Sequence, residues 1–261
     1  MPHFLDIFNN IDVHAHVGNY KGNPNFSGSL SEVRSCARKA GVEFTIVSHY
    51  EGLFYQDTDM LLKANETAYA MVQNKHEMGM WLVLDPNIDR SWKQAEEMIK
   101  FPKCMGIKIH PECHNYDIVR HIENILNFCA HRKAIVLTHS GYTNSSPLAM
   151  AQAANNNRDA ILIMAHLGNE PEEYNSVTHI RAILSSKYEN LYVDTSSSRN
   201  IYHGYLENAV AKIGSQRILF GSDSPIHFTP AQVARISMSD LTRKEKKGIL
   251  GGNFKRIWHK K

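Results

Sequence analysis

The chain is poor in the features that mark several common protein classes. Its 261 residues include four cysteines, at 36, 104, 113 and 129, and none of them forms a CxxC pair. A disulfide framework and a thiolate metal cage both lack their spacing, so reduced thiols are expected. No window approaches the roughly 18 continuous apolar residues of a membrane span. The opening MPHFLDIFNN has no basic start followed by a long apolar run. A cytoplasmic protein without a membrane partner is the expectation. Excess charge of one sign is missing too: 29 Lys and Arg stand against 26 Asp and Glu. They are spread along the chain, which speaks against nucleic acid as a partner. Low-complexity tracts, linkers and internal repeats are absent, so one domain over residues 1–261 is expected.

What the chain does hold is alternation. Short β-branched or apolar runs occur at 11–17, 43–49, 79–84, 105–110, 134–139, 160–166, 190–195 and 217–223. Amphipathic stretches of helical length lie between and after them, at 29–40, 58–76, 89–100, 116–132, 146–157, 170–187, 202–214 and 241–260. Ser29, Asp57 and Ser146 stand at helix starts as cap residues. Eight strand–helix units predict parallel strands joined by right-handed crossovers, which close into an α/β TIM (β/α)8 barrel.

In such a barrel the C-terminal strand ends share one mouth, where catalytic groups collect. Polar residues fall there. His14 and His16 are two apart on the first strand and point the same way. Lys108 and His110 end the fourth strand, His139 the fifth, His166 the sixth and Asp223 the eighth. Converging groups of this kind are costly to bury unless they are paired or bound to something. A divalent metal accounts for them. His14 and His16 can pinch one ion, His139 can add a third nitrogen and Asp223 an oxygen, with a position left open for water or substrate. Zinc is the expected metal; iron, manganese and nickel also suit these donors. Asp223 and His166 would move the protons.

The motifs IDVHAH, GIKIHP, LTHSG, MAHLG, LYVDTS, RILFGSDSP and GNFKRIW, between residues 11 and 258, carry a family resemblance. The sequence resembles the amidohydrolase superfamily of metal-dependent TIM barrels, most closely the amidohydrolase-related branch that contains aminocarboxymuconate-semialdehyde decarboxylase. The resemblance implies His14, His16, His139 and Asp223 as ligands of the principal metal. His166 then either works as acid or base or ligates a second ion. Lys108 either donates a hydrogen bond to a substrate carboxylate or oxyanion, or is carboxylated and bridges two ions. One ion is favoured.

Other residues have plainer readings beside the functional ones. Asp12 points with the two histidines but lies deeper, as a support for the ligands or a structural residue. His110, before Pro111, is open between ligand, substrate contact and turn residue. Glu112, Cys113 and His114 could imitate a small metal cluster, but their loop position favours solvated side chains. Tyr50 and Tyr55, in HYEGLFY, either touch substrate or pack. Arg199 either grips an anion or makes a surface ion pair. His227 stands apart from the remaining histidines because its loop follows the eighth strand.

Two reactions share this ligand set. In the first, a metal-activated water cleaves an amide, ester or lactone of a small molecule. In the alternative, the site decarboxylates a small unsaturated or aromatic carboxylic acid. The connections are short, whereas many decarboxylases of the branch carry large inserted loops, so hydrolysis is the leading expectation. A scaffold or metal-storage protein is the third reading. A homodimer is the expected assembly.

Overall fold

The computed structural model describes residues 4–20, 27–170, 173 and 176–261. Eight parallel strands run in sequence order: β1 (Ile11–Val17), β2 (Phe44–His49), β3 (Met78–Val83), β4 (Cys104–Ile109), β5 (Ile135–Thr138), β6 (Ile161–Met164), β7 (Leu191–Asp194) and β8 (Ile218–Leu219). The ring closes between its first and last members. Val13 N donates to Phe220 O at 2.9 Å, Asp223 N to His14 O at 2.7 Å and His16 N to Ser224 O at 2.7 Å. The expected TIM barrel is the observed one.

The helices are α1 (Leu30–Lys39), α2 (Tyr50–Leu53), α3 (Thr58–Val72), α4 (Asp89–Met98), α5 (Ile122–His131), α6 (Pro147–Asn156), α7 (Thr178–Ser185), α8 (Tyr205–Ile213), α9 (Thr229–Ser237), α10 (Arg243–Lys247) and α11 (Asn253–Lys260). Local chemistry sets several of their starts. Ser29 accepts from Glu32 N at the head of α1, Asp57 accepts from Met60 N at the head of α3, and Thr242 and Glu245 form a capping box at α10. Besides the short α2, two stretches depart from expectation. α9 follows β8 where none was expected, because Pro230 in its first turn reads as a loop residue yet suits a helix start. The stretch expected as one helix over 241–260 is split by a π-helical turn at Gly248–Gly252. Of the helix expected over 170–187, residues 171, 172, 174 and 175 lie outside the described residues.

Apolar side chains divide into an inner and an outer layer. Ile11, Val13, Phe44, Ile46, Trp81, Met105, Ile135 and Leu137 fill the barrel, while Ala15, Val17, Met80, Leu82, Ile107 and Ile109 pack outward against the helices. Val13 is therefore inside and Ala15 outside, although both are odd-numbered on one strand. The β1–β2 register slips between Asp12 and Ala15. A slip of one residue exchanges the faces of a strand. It turns His14 and His16 inward and separates them from Asp12, which does not share their face as expected. Asp12 instead accepts hydrogen bonds from Ser222 N at 2.9 Å and Ser222 Oγ at 2.5 Å. Its role is to tie β1 to the chain after β8. A second slip, in the β3–β4 register beside Gly106, has the same effect on β4 and aims Lys108 inward.

Candidate metal centre

His14 and His16 are each held on one ring nitrogen and offer the other to the same carboxylate. His14 Nδ1 lies 2.9 Å from Asp194 Oδ2 and 3.0 Å from Ser196 Oγ, and His16 Nδ1 lies 2.9 Å from Ser48 Oγ. Their Nε2 atoms stand 3.5 and 3.1 Å from Asp223 Oδ1. Outer hydrogen bonds of this kind fix the tautomer and orientation of metal-binding imidazoles. Burial holds both histidines below their ordinary pKa, so they stand neutral with lone pairs to donate. Burial disfavours charge on Asp223, but the His16 hydrogen bond and the neighbouring imidazoles outweigh it and hold the carboxyl well below the usual range. Donor atoms of the three residues lie within 4.8 Å of one another. Two neutral nitrogens and one carboxylate at that spacing fit a divalent cation.

His166, Lys108 and His139 surround this trio. His166 follows β6 and Asp223 follows β8, each with a left-handed backbone at φ 66° and 56°. Such conformations cost energy in residues other than glycine and collect at functional sites. His166 Nδ1 lies 2.8 Å from Ser196 Oγ, its Nε2 lies 3.1 Å from His139 Nδ1, and burial pushes its pKa down to about 4. Lys108 is wholly buried with Nζ 2.9 Å from His14 Nε2, and burial pushes its pKa down to about 8. His139 stands one ring further out. Its donor atom groups with His110 and Glu112, outside the His14–His16–Asp223 group.

A cavity of about 200 Å³ opens over these residues, lined by His139, Tyr142, His166, Asn169, Arg199, Asp223 and His227 among others. A larger hollow of about 670 Å³, edged by Lys133, Arg158, Lys187 and Lys260, lies at the opposite end of the barrel, away from every histidine of the centre. Arg199 lines the mouth cavity and donates to Glu170 O at 2.6 Å. Tyr50 does not line that cavity: it opens α2, is buried, and stacks on the His16 ring at 4.6 Å. Tyr55 donates to the Asp85 carboxylate. His110 stacks on His139 with ring centres 4.0 Å apart, and its Nδ1 accepts from Cys113 N. The expectation of solvated side chains after β4 fails for His114, which is buried under α2 with Nε2 bonded to Gly52 O at 3.1 Å.

Three residues of the centre escaped sequence reasoning. Asp194, Ser196 and Ser48 support the histidines, and of these only Asp194 left a signal, as a lone acid ending the apolar run LYVD.

The amidohydrolase family model matches residues 11–260, and the chain belongs to that family. No curated protein matches it. Among solved structures, 5-carboxyvanillate decarboxylase from Sphingomonas paucimobilis is similar at 13% identity and TM-score 0.72, covering 97% of this chain and 99% of that one. A dihydroxybenzoic acid decarboxylase from Polaromonas, with bound manganese and an inhibitor, is similar at 13% identity and TM-score 0.73, with 97% of both chains covered. Amidohydrolase 2 from Bifidobacterium longum subsp. infantis is similar at 15% identity and TM-score 0.69, covering 97% of this chain and 100% of that one. At these identities the likeness is one of fold.

Proposed function

We propose that the chain is a metal-dependent hydrolase that cleaves an amide, ester or lactone bond in a small molecule. The observation that carries this reading is the meeting of His14, His16 and Asp223 beneath a cavity that both Asp223 and His166 line. One divalent ion, zinc first among the candidates, would be held by His14, His16 and Asp223, with His139 Nδ1 on its open side. When bound, such an ion polarises a carbonyl and lowers the pKa of water. Asp223, ionised and at the cavity wall, is placed to accept a proton from water. His166, neutral and fixed through Nδ1 by Ser196, turns Nε2 to His139 Nδ1 at 3.1 Å, and would carry the second proton on that nitrogen once His139 Nδ1 is turned to the ion. Lys108, at about 8, is partly neutral near neutral pH. In the one-ion reading it stands beside the His14 ring, and its ammonium form would supply positive charge to a developing oxyanion.

In this reading the substrate is a small acyl compound, since the cavity is small and its lining residues carry polar side chains. Decarboxylation of a small unsaturated or aromatic acid is the second reading, favoured by Arg199 at the cavity wall, where a guanidinium suits a carboxylate. The deciding experiment loads the protein with zinc or manganese and offers lactones, amides and aromatic carboxylic acids. Acid release without carbon dioxide supports hydrolysis, carbon dioxide release supports the second reading, and turnover that survives complete metal removal defeats both.

A further inference from the structure

We infer that Glu112 is a positioning residue for His139, engaging its Nε2 so that Nδ1 is the atom turned to the ion; this rests on the metal reading above. The two β1 histidines establish the pattern, each with one nitrogen held from outside, by Asp194 and by Ser48. His139 lacks so close a partner, but its two nitrogens face different neighbours. Nδ1 points to the centre, 3.1 Å from His166 Nε2. Nε2 points away from it, 3.9 Å from Glu112 Oε2.

Glu112 is prepared for that contact. Its Oε1 accepts from Ser145 Oγ at 2.7 Å, which fixes the carboxylate, while its Oε2 is buried and without a hydrogen bond among the described residues. A buried acceptor without a donor is costly, and the nearest imidazole nitrogen supplies one. A movement of about 1 Å brings the pair to hydrogen-bond length. Positive charge on Nδ1 makes the opposite N–H a better donor, so metal binding and the Glu112 bond strengthen each other.

The alternative of a separate cation site made by His110, Glu112 and His139 fails on ring geometry. The two imidazoles are stacked 4.0 Å apart with planes 11° from parallel, so their in-plane lone pairs run side by side and do not converge. His110 serves as a wall that keeps the His139 ring from turning.

The test measures zinc affinity by competition with a chelator for the wild type, Glu112→Gln and His16→Ala, together with ¹⁵N NMR of the histidine rings in the zinc-loaded wild type. Glutamine keeps an oxygen for Ser145, so the zinc-free Tm should hold while zinc affinity falls about 10- to 100-fold. The spectra should show zinc on Nδ1 of His139 and on Nε2 of His14 and His16. Unchanged affinity in Glu112→Gln, or His139 metallated through Nε2, overturns the inference. If His16→Ala weakens zinc but Glu112→Gln does not, the inference fails alone; if His16→Ala binds zinc like the wild type, the metal reading fails with it. The NMR arm uses no variant, so it decides even if a variant does not fold.

Discussion

His14 Nδ1 and Asp194 Oδ2 lie 2.9 Å apart, so residues 180 positions distant in the chain join the first strand to the seventh in one buried contact. Asp194 also accepts from the backbone N–H of His166 at 2.9 Å and from Ser196 N at 2.9 Å. One carboxylate thus orients the His14 ring and holds the His166 backbone.

Asp194→Asn is expected to weaken divalent-metal affinity about 10- to 100-fold. The amide is close in size but presents a donor where His14 needs an acceptor. Chelator competition measures the effect, and wild-type affinity in the variant would show that His14 is not oriented by Asp194.

His16→Ala, Asp223→Asn and His139→Ala are expected to lose bound metal and activity together, since each removes a donor of the proposed set. Metal content by elemental analysis and turnover should fall in step. Full metal content with abolished activity in His139→Ala would move that residue from metal binding to proton transfer.

Acid should destabilise the metal-free fold within a defined window. Burial pushes both His166 and His179 from an ordinary value of 6.5 down to about 4. Between those limits the unfolded chain binds protons that the folded chain does not. Stability therefore stays whole above pH 6.5 and falls as pH drops towards 4. Each group contributes on the order of 3 kcal/mol across the window. His179, whose Nε2 lies 2.9 Å from Ser140 Oγ, tests this at a residue outside the proposed ligand set. Denaturant midpoints from pH 7 to pH 4.5 should slope less steeply in His179→Gln than in the wild type; identical slopes would contradict the prediction.

Gly106→Ala is expected to destabilise the barrel by more than about 4 kcal/mol. Gly106 has φ 148°, and an added Cβ would sit 2.1 Å from Ile135 O on the neighbouring strand. The backbone there also makes the register slip that aims Lys108 inward. A well-folded alanine variant with near-wild-type Tm would show that β4 can relax around the methyl group.

The barrel was legible because its signals are local. Strand runs such as EFTIVSH and AIVLTH carry β-branched residues bounded by polar ends, and α1 and α3 announce themselves by caps. α9 was not legible, since a proline at its first turn looks like a loop from sequence alone. α2 was hidden for a different reason: four residues of HYEGLFY carry no period, and the turn is made by the His49 side chain accepting from Glu51 N and by packing over His114 and against His16.

The site was legible in composition and only partly in arrangement. His14, His16, Lys108, His166 and Asp223 do collect on one end of the barrel, as the strand-end rule predicts. A simple period of two puts Asp12 on the face of His14 and His16, and the register slip takes it off that face. Glu112 reads in sequence as a solvated loop residue, yet the fold brings it beside His139 from 27 positions away.

Which residue types stand at the ends of the apolar runs, and in what order, the chain states by itself, because alternation and periodicity are properties of neighbours in sequence. Which nitrogen of each histidine faces the centre, which carboxylate holds it and which residues share a wall depend on strand register and on side chains meeting across the ring. Those contacts join positions scores of residues apart, and only closing the barrel decides them.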